Sequence, residues 1–289
     1  MGEKERISGH TQTIGLIGSP VEHSMSPGMH NAAFEKLGLD YVYLVYDVVP
    51  EQLATVVPAM TTMGFAGFNV TMPCKTHVLE FLDELSPAAE LMGAVNTVVV
   101  KDGRSTGHNT DGAGFMRNLK EHGVDVIGKK ITQVGAGGAG SAIFCQAALD
   151  GVAEIDVYNM KDDFFDATEK RVAEISEKTG CKIRLFDLAD KEAMKQSVSE
   201  SVLFINATRV GMAPMEDQSP LPAEFMHDGL ALADTVYAPR ETLLLKTGKE
   251  RGLKIVPGLG MLLWQAAIGE KLWTGQEMPV SYIEEKFFS

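Results

Sequence analysis

Gly135-Ala-Gly137-Gly-Ala-Gly140-Ser141 lies between a short apolar run, Ile131-Thr-Gln-Val134, and a segment in which Ile143, Phe144, Ala147 and Ala148 recur at helical spacing. The run before it reads as a buried strand, and Gly151 is a suitable stop for the helix after it. A glycine loop between a strand and a helix is the setting a diphosphate needs. The first glycine makes the tight turn, the second lets the backbone approach the phosphates, and the third lets helix and strand pack closely. The helix N-terminus adds free N–H groups and a positive dipole end. In this context residues Gly135, Ala136, Gly137, Gly138, Ala139 and Gly140 are expected to hold a dinucleotide. The other reading is an ordinary structural turn.

Downstream the pattern continues as strand then helix. Strands are expected at 154–159, 182–187, 203–207, 230–236 and 254–256, with helices at 164–178, 191–200 and 242–251. That alternation demands a mostly parallel sheet covered on both faces, a doubly wound α/β fold. Upstream lies a separate α/β unit of strands, helices and a hairpin at Lys101-Asp102-Gly103. It opens with the apolar strand Thr13 to Gly18, followed by His23-Ser24-Met25-Ser26-Pro27 and a helix whose inner face carries Met29, Ala33, Phe34 and Leu37. Ser24 and Ser26 have two readings, a cap with a turn, or a pair of hydroxyls at a helix start that binds a carboxylate. Lys75 follows Pro73 near an expected helix start, where the macrodipole disfavours a cation. Asp111 precedes another helix and has an N-cap as its plain reading. The expected division is 1–112 for substrate and 113–260 for the dinucleotide, with the apolar tail 261–289 packing back on the first domain.

The 289 residues are enough for two cores, and 45% hydrophobic with 22% charged residues is the balance of an ordinary soluble protein. A formal net charge of −13 argues against nucleic acid or an anionic membrane surface as partner. Cys74, Cys145 and Cys181 fit neither a disulfide framework nor a zinc pattern, so no metal is expected and a cytoplasmic location is. No signal peptide or membrane span is expected either. A homodimer is compatible with the sequence.

With these segments placed, the chain resembles the shikimate/quinate dehydrogenase family over nearly its whole length. The resemblance rests on HSMSP (23–27), NVTMPCK (69–75), GAVNTVV (93–99), GHNTDG (107–112), GAGGAG (135–140), NATRVGM (206–212), DTVYAP (234–239) and GLGMLLWQ (258–265). It implies a substrate domain joined to a Rossmann domain, with a cyclic hydroxy acid bound in the cleft between them. The implied reaction is hydride transfer between a nicotinamide cofactor and the ring 3-hydroxyl, interconverting shikimate and 3-dehydroshikimate or quinate and 3-dehydroquinate. The implied setting is the shikimate pathway of aromatic amino acid biosynthesis.

By the same resemblance, Lys75 and Asp111 are the acid–base pair, and Ser24, Ser26 and Tyr237 hold the substrate carboxylate. Thr71, Asn96, Asp111 and Gln265 bond the ring hydroxyls. Asn159, Lys161 and Asp162 lie near the adenosine ribose, while Thr208, Met212, Tyr237 and Gly260 line the rest of the cofactor site. Members that prefer NADP commonly carry Asn-Arg-Thr after the second strand of the cofactor domain. Here the stretch is Asn159-Met160-Lys161-Asp162-Asp163, closer to the quinate/shikimate branch, which implies NAD preferred with NADP tolerated. Cys74, beside Lys75, is given only a packing role. A non-catalytic dinucleotide-binding regulator of the same fold is the rival from another class. The full set of Lys75, Asp111 and both serines argues against it. A dehydrogenase of this architecture acting on another cyclic or amino acid substrate is the third reading.

Overall fold

The computed structural model describes residues 7–288. They form two compact units, one reaching Thr110 and resuming at Gln265, the other spanning Asp111–Trp264.

The first unit is built on β1 (Gln12–Gly18), α1 (Ser26–Leu37), β2 (Tyr41–Asp47), α2 (Leu53–Thr62), β3 (Gly67–Val70), β4 (Glu84–Leu85), α3 (Pro87–Met92), β5 (Thr97–Lys101) and β6 (Arg104–His108). The sheet order is β2-β1-β3-β5-β6-β4. β1 is paired in parallel on both sides, and the β5–β6 hairpin closes antiparallel against β3. Ile14, Leu16 and Ile17 of β1 are buried, as are Met29, Ala33 and Phe34 of α1. Each large apolar side chain so placed stabilises the unit by roughly 1.5–3 kcal/mol. β2 is an edge strand, and Asn31 of α1 satisfies its outer backbone. The Asn31 amide accepts from the Tyr43 N–H at 2.9 Å and donates to the Tyr43 carbonyl at 2.8 Å.

Two local expectations are corrected. Ser26 is not a cap: it is the first helical residue, Met25 precedes it, and no side chain caps α1. The Ser26 side chain instead stands beside the Tyr43 phenol. Lys75 does not open an α-helix. It lies in a three-residue 3-10 turn, Cys74–Thr76, so little aligned backbone dipole opposes its charge.

The second unit comprises α4 (Asp111–Glu121), β7 (Lys130–Val134), α5 (Gly138–Leu149), β8 (Glu154–Asn159), α6 (Phe165–Thr179), β9 (Lys182–Asp187), α7 (Lys191–Ser199), β10 (Leu203–Asn206), β11 (Ala231–Asp234), α8 (Leu243–Glu250) and β12 (Ile255–Val256). Every neighbouring pair is parallel, in the order β12-β11-β10-β7-β8-β9. The strand order reverses at β7/β10, the place where doubly wound sheets bind ligands at their C-terminal ends. At the opposite end an ion network joins the strands. Arg184 holds Asp156 at 2.8 and 3.0 Å, and Lys130 reaches Asp156 at 3.0 Å and Glu200 at 2.6 Å. Burial would raise the Asp156 carboxyl, but bonds from Arg184, Ser197 and Lys130 hold it below its ordinary value.

The chain returns to the first unit within α9 (Leu259–Thr274) and ends with α10 (Val280–Phe288). The Trp273 indole donates to the Val98 carbonyl at 2.9 Å, and Glu270 pairs with buried His30 at 3.0 Å. All three cysteines are buried free thiols. Burial raises Cys145 to about 12 and Cys181 to about 11, and Cys74 donates to the Val48 carbonyl at 3.3 Å. Buried neutral thiols pack and do not react. No helix among the described residues is long and apolar enough to cross a membrane.

Candidate active site

In the second unit the glycine loop is shaped by what its residues lack. Gly135 leaves β7 at φ +99°, and a side-chain carbon there would lie 2.6 Å from the Ala207 carbonyl and 2.8 Å from the Thr208 methyl. A carbon on Gly140 would run into the Gly135 carbonyl. At Gly137 and Gly138 the same carbon would meet nothing within 4 Å. α5 is twelve residues long and begins after Gly137 with no side-chain cap. An uncapped helix start beside open space presents unpaired N–H groups, and this donor set fits a diphosphate. Buried Gln133 braces the loop from beneath, donating to the carbonyls of Gly135 and Gly140 at 2.8 and 3.0 Å. Ser141 closes it with a 3.0 Å bond to the Ala136 carbonyl.

Three further segments of this unit carry expected cofactor residues. Asn159 accepts the Ala136 N–H at 3.1 Å, so it holds the glycine loop as well as ending β8. Lys161 and Asp162 are exposed and engaged within their own turn. Asp162 accepts the Phe164 N–H at 3.0 Å, and the Lys161 ammonium lies 6.0 Å from the Phe165 ring. Thr208 stands against Gly135, and Met212 and Tyr237 are exposed by 41% and 47%, which leaves surface for a ligand. Gly260 has a packing reason of its own, because any side chain there would overlap the Asn118 amide. Asp111 opens α4, whose next residue, Gly112, lets that helix sit directly on Ala142 of α5.

In the first unit the expected acid-binding residues are joined by hydrogen bonds. The Ser24 hydroxyl accepts the Ser26 N–H at 3.3 Å. Burial pushes the Tyr43 phenol far up, against a smaller pull from Ser26, so it remains a neutral donor. It donates to Asn69 at 2.7 Å, and the Asn69 amide donates to the Asn96 carbonyl and the Thr97 hydroxyl, each at 3.0 Å. Asn96 then accepts the Thr110 N–H at 2.8 Å and donates to the Thr110 hydroxyl at 3.0 Å. A continuous hydrogen-bonded path thus runs from Tyr43 to Thr110, the residue before Asp111. Lys75 is half-buried and fixed beside this path, its carbonyl accepting the Val95 N–H at 2.9 Å. Thr71 is tied to Ile17 through a 2.9 Å backbone bond, and Gly18 leaves room for its methyl. Gln265 is half-buried on α9.

Sequence reasoning gave no role to Tyr43, Asn69, Asn206 or Asp234. The last three stand inside quoted motifs, which was the available signal. The burial of Tyr43 rather than Tyr41 or Tyr46 has no local signature in an aromatic-rich strand. Among the described residues no group of three or more His, Cys, Asp or Glu side chains could hold a metal ion.

The shikimate dehydrogenase substrate binding domain model matches residues 16–98, and the shikimate 5'-dehydrogenase C-terminal domain model matches residues 258–286. A shikimate dehydrogenase (NADP(+)) of Listeria monocytogenes serotype 4b (strain F2365) is 54% identical over 285 residues, covering 98% of each chain. The crystal structure of shikimate 5-dehydrogenase from Listeria monocytogenes in complex with shikimate and NAD superposes with a TM-score of 0.96 at 54% identity, over 99% of both chains. A shikimate dehydrogenase in complex with NADP+ gives a TM-score of 0.85 at 39% identity, over 96% of this chain and 95% of that one.

Proposed function

This chain belongs to the shikimate dehydrogenase family, and we propose on that premise how its residues interconvert shikimate and 3-dehydroshikimate with a nicotinamide dinucleotide. The bound nicotinamide supplies the hydride chemistry. Ser24 and Ser26, with Tyr237, hold the carboxylate by hydroxyl donors, and Thr71, Asn96 and Gln265 take the ring hydroxyls. Lys75 and Asp111 form the acid–base pair. Lys75 takes the proton of the 3-hydroxyl as it is oxidised and returns it in the reverse direction, while Asp111 orients Lys75 and bonds a neighbouring hydroxyl. The dinucleotide diphosphate lies on Gly135 to Gly140, with Thr208, Met212 and Gly260 along the remainder.

The observation that carries this reading is the hydrogen-bonded path from Tyr43 to Thr110, with the Ser24–Ser26 pair at the start of α1 in the same unit. It fixes Asn96 and flanks both members of the acid–base pair. A regulator that only bound a dinucleotide would have no use for it.

The preferred cofactor is NAD, with NADP tolerated. The loop after β8 offers Met160, Lys161 and Asp162 and no arginine. A guanidinium would pair with a 2′-phosphate, whereas the Asp162 carboxylate accepts from ribose hydroxyls and repels that phosphate. Lys161 partly offsets the repulsion. The Listeria relatives carry both associations, one named for NADP(+) and one crystallised with NAD.

An initial-rate grid of shikimate and quinate against NAD and NADP tests the reading. Shikimate with NAD should give the highest kcat/KM. No turnover in any of the four combinations would leave the regulator, and a clear NADP preference would overturn the cofactor assignment alone.

A further inference from the structure

The C-terminal ends of β10 and β11 carry a buried polar knot that the roles above do not use. Asp234 is fully buried, and its Oδ1 accepts the Asn206 amide at 3.0 Å and the Val236 N–H at 2.9 Å. Its Oδ2 accepts the Thr242 hydroxyl at 2.8 Å. The Asn206 amide also donates to the Val210 carbonyl at 2.8 Å, and its Oδ1 accepts the Thr208 N–H and hydroxyl at 3.1 and 2.7 Å. Thr208 in turn stands with its methyl against Gly135.

A buried carboxylate is costly unless donors surround it. Burial raises Asp234 to about 6 against the pull of Val236, Thr242 and Asn206, so at neutral pH it is an ionised acceptor. Packing alone does not account for it, since an apolar residue would fill the same space without that penalty. What an apolar residue could not do is fix the Asn206 amide. As placed, that amide bridges Asp234, Val210 and Thr208 together, and the Asp234 carboxylate, which can only accept, holds its NH2 side toward β11.

We propose that Asp234 is a positioning residue for the dinucleotide: through Asn206 it sets Thr208 as the fixed wall of the glycine loop. The Val236 N–H extends the same control toward Tyr237. This rests on the functional reading above, but its test does not depend on turnover.

NADH fluorescence titration of the intact chain, beside thermal melting and shikimate turnover, separates the two. Asp234→Ala frees the Asn206 amide and should raise the NADH Kd about tenfold. Asp234→Asn keeps an acceptor oxygen toward Asn206 and Val236 and should stay within about threefold of wild type. Asn206→Ala should match Asp234→Ala, and the double variant should add nothing further. Wild-type affinity in Asp234→Ala overturns the proposal whatever its melting temperature, and so does an equal loss in Asp234→Asn. If Asp234→Ala does not fold, Asp234→Asn is compared with Asn206→Ala. Near-wild-type binding in the first and loss in the second supports positioning, and equal affinities overturn it. A wild-type chain that binds NADH without turning over shikimate removes the functional reading and leaves this result intact.

Discussion

The two units arrange their candidate site residues by opposite means. In the second, the glycine loop is defined by missing atoms: a carbon added at Gly135 or Gly140 would strike backbone, and one added at Gly137 or Gly138 would enter open space. In the first, the residues are defined by atoms present. Tyr43, Asn69, Thr97, Asn96 and Thr110 pass hydrogen bonds from one to the next across three strands and a loop. A diphosphate is long, charged and much the same in every dinucleotide, so backbone N–H groups suffice for it. A ring with several hydroxyls must be told apart from its isomers, and that takes side chains held in one orientation.

The units also differ in how they keep their charges. Among the described residues, only the second has a buried carboxylate held ionised by an arginine and a lysine at its strand starts. Asp156→Ala should therefore destabilise that unit by about 3 kcal/mol, because Arg184 and Lys130 lose the buried partner they share and keep only the more exposed Glu154 in common. The Asp156 carboxyl is depressed in the folded state, so its contribution is full above its unfolded pKa of about 4. It is lost as the pH falls through the lower folded value. Thermal melts between pH 2 and 7 check this: the gap between wild type and variant should close on acidification. A gap that widens would show the network does not act through the ionised carboxylate.

Next in size is the chemistry of the first unit. Lys75→Ala should lower kcat at least ~10²-fold, as loss of a general acid–base does, with the melting temperature and dinucleotide affinity nearly unchanged. Single-turnover rates with shikimate read this directly, and near-wild-type turnover would remove Lys75 from the acid–base role.

The contrast also explains what could be read before folding. Glycine spacing, apolar runs and helix stops are local, so the parallel unit and its glycine loop were legible from periodicity and turn chemistry, while the strand order is a matter of tertiary pairing. The path from Tyr43 to Asn96 joins residues 26 to 53 positions apart, and no window of sequence contains it. Ser24, Ser26, Lys75 and Asp111 have caps, turns or a surface charge as their plain local readings, and only the resemblance assigns them roles. Ser26 shows why: its local pattern is that of a cap, yet it is the first residue of α1 and stands beside the phenol of Tyr43 in β2. The ion network of Lys130, Asp156 and Arg184 escaped for the same reason, since each member alone looks like a surface charge.

A smaller effect is expected at Asp162, the side chain proposed to meet the adenosine ribose. Asp162→Ala should raise KM for NAD a few-fold and shift the NAD/NADP ratio of kcat/KM toward NADP by about tenfold. It should cost little stability, because only the Phe164 N–H loses a partner at the surface. Measuring kcat/KM for both cofactors decides the point, and an unchanged ratio would place discrimination elsewhere in the loop.

The division of labour itself is tested most directly by a crossed measurement. KM for shikimate and for NAD would be determined in Gly140→Ala and in the double variant Ser24→Ala/Ser26→Ala. The added carbon at position 140 must displace the Gly135 carbonyl, so KM for NAD should rise about tenfold while KM for shikimate holds. Loss of the two hydroxyls should raise KM for shikimate by roughly 1–3 kcal/mol of charge-assisted bonding while KM for NAD holds. Each variant moving only its own constant is the predicted result. A rise of similar size in both constants, in either variant, would contradict the account.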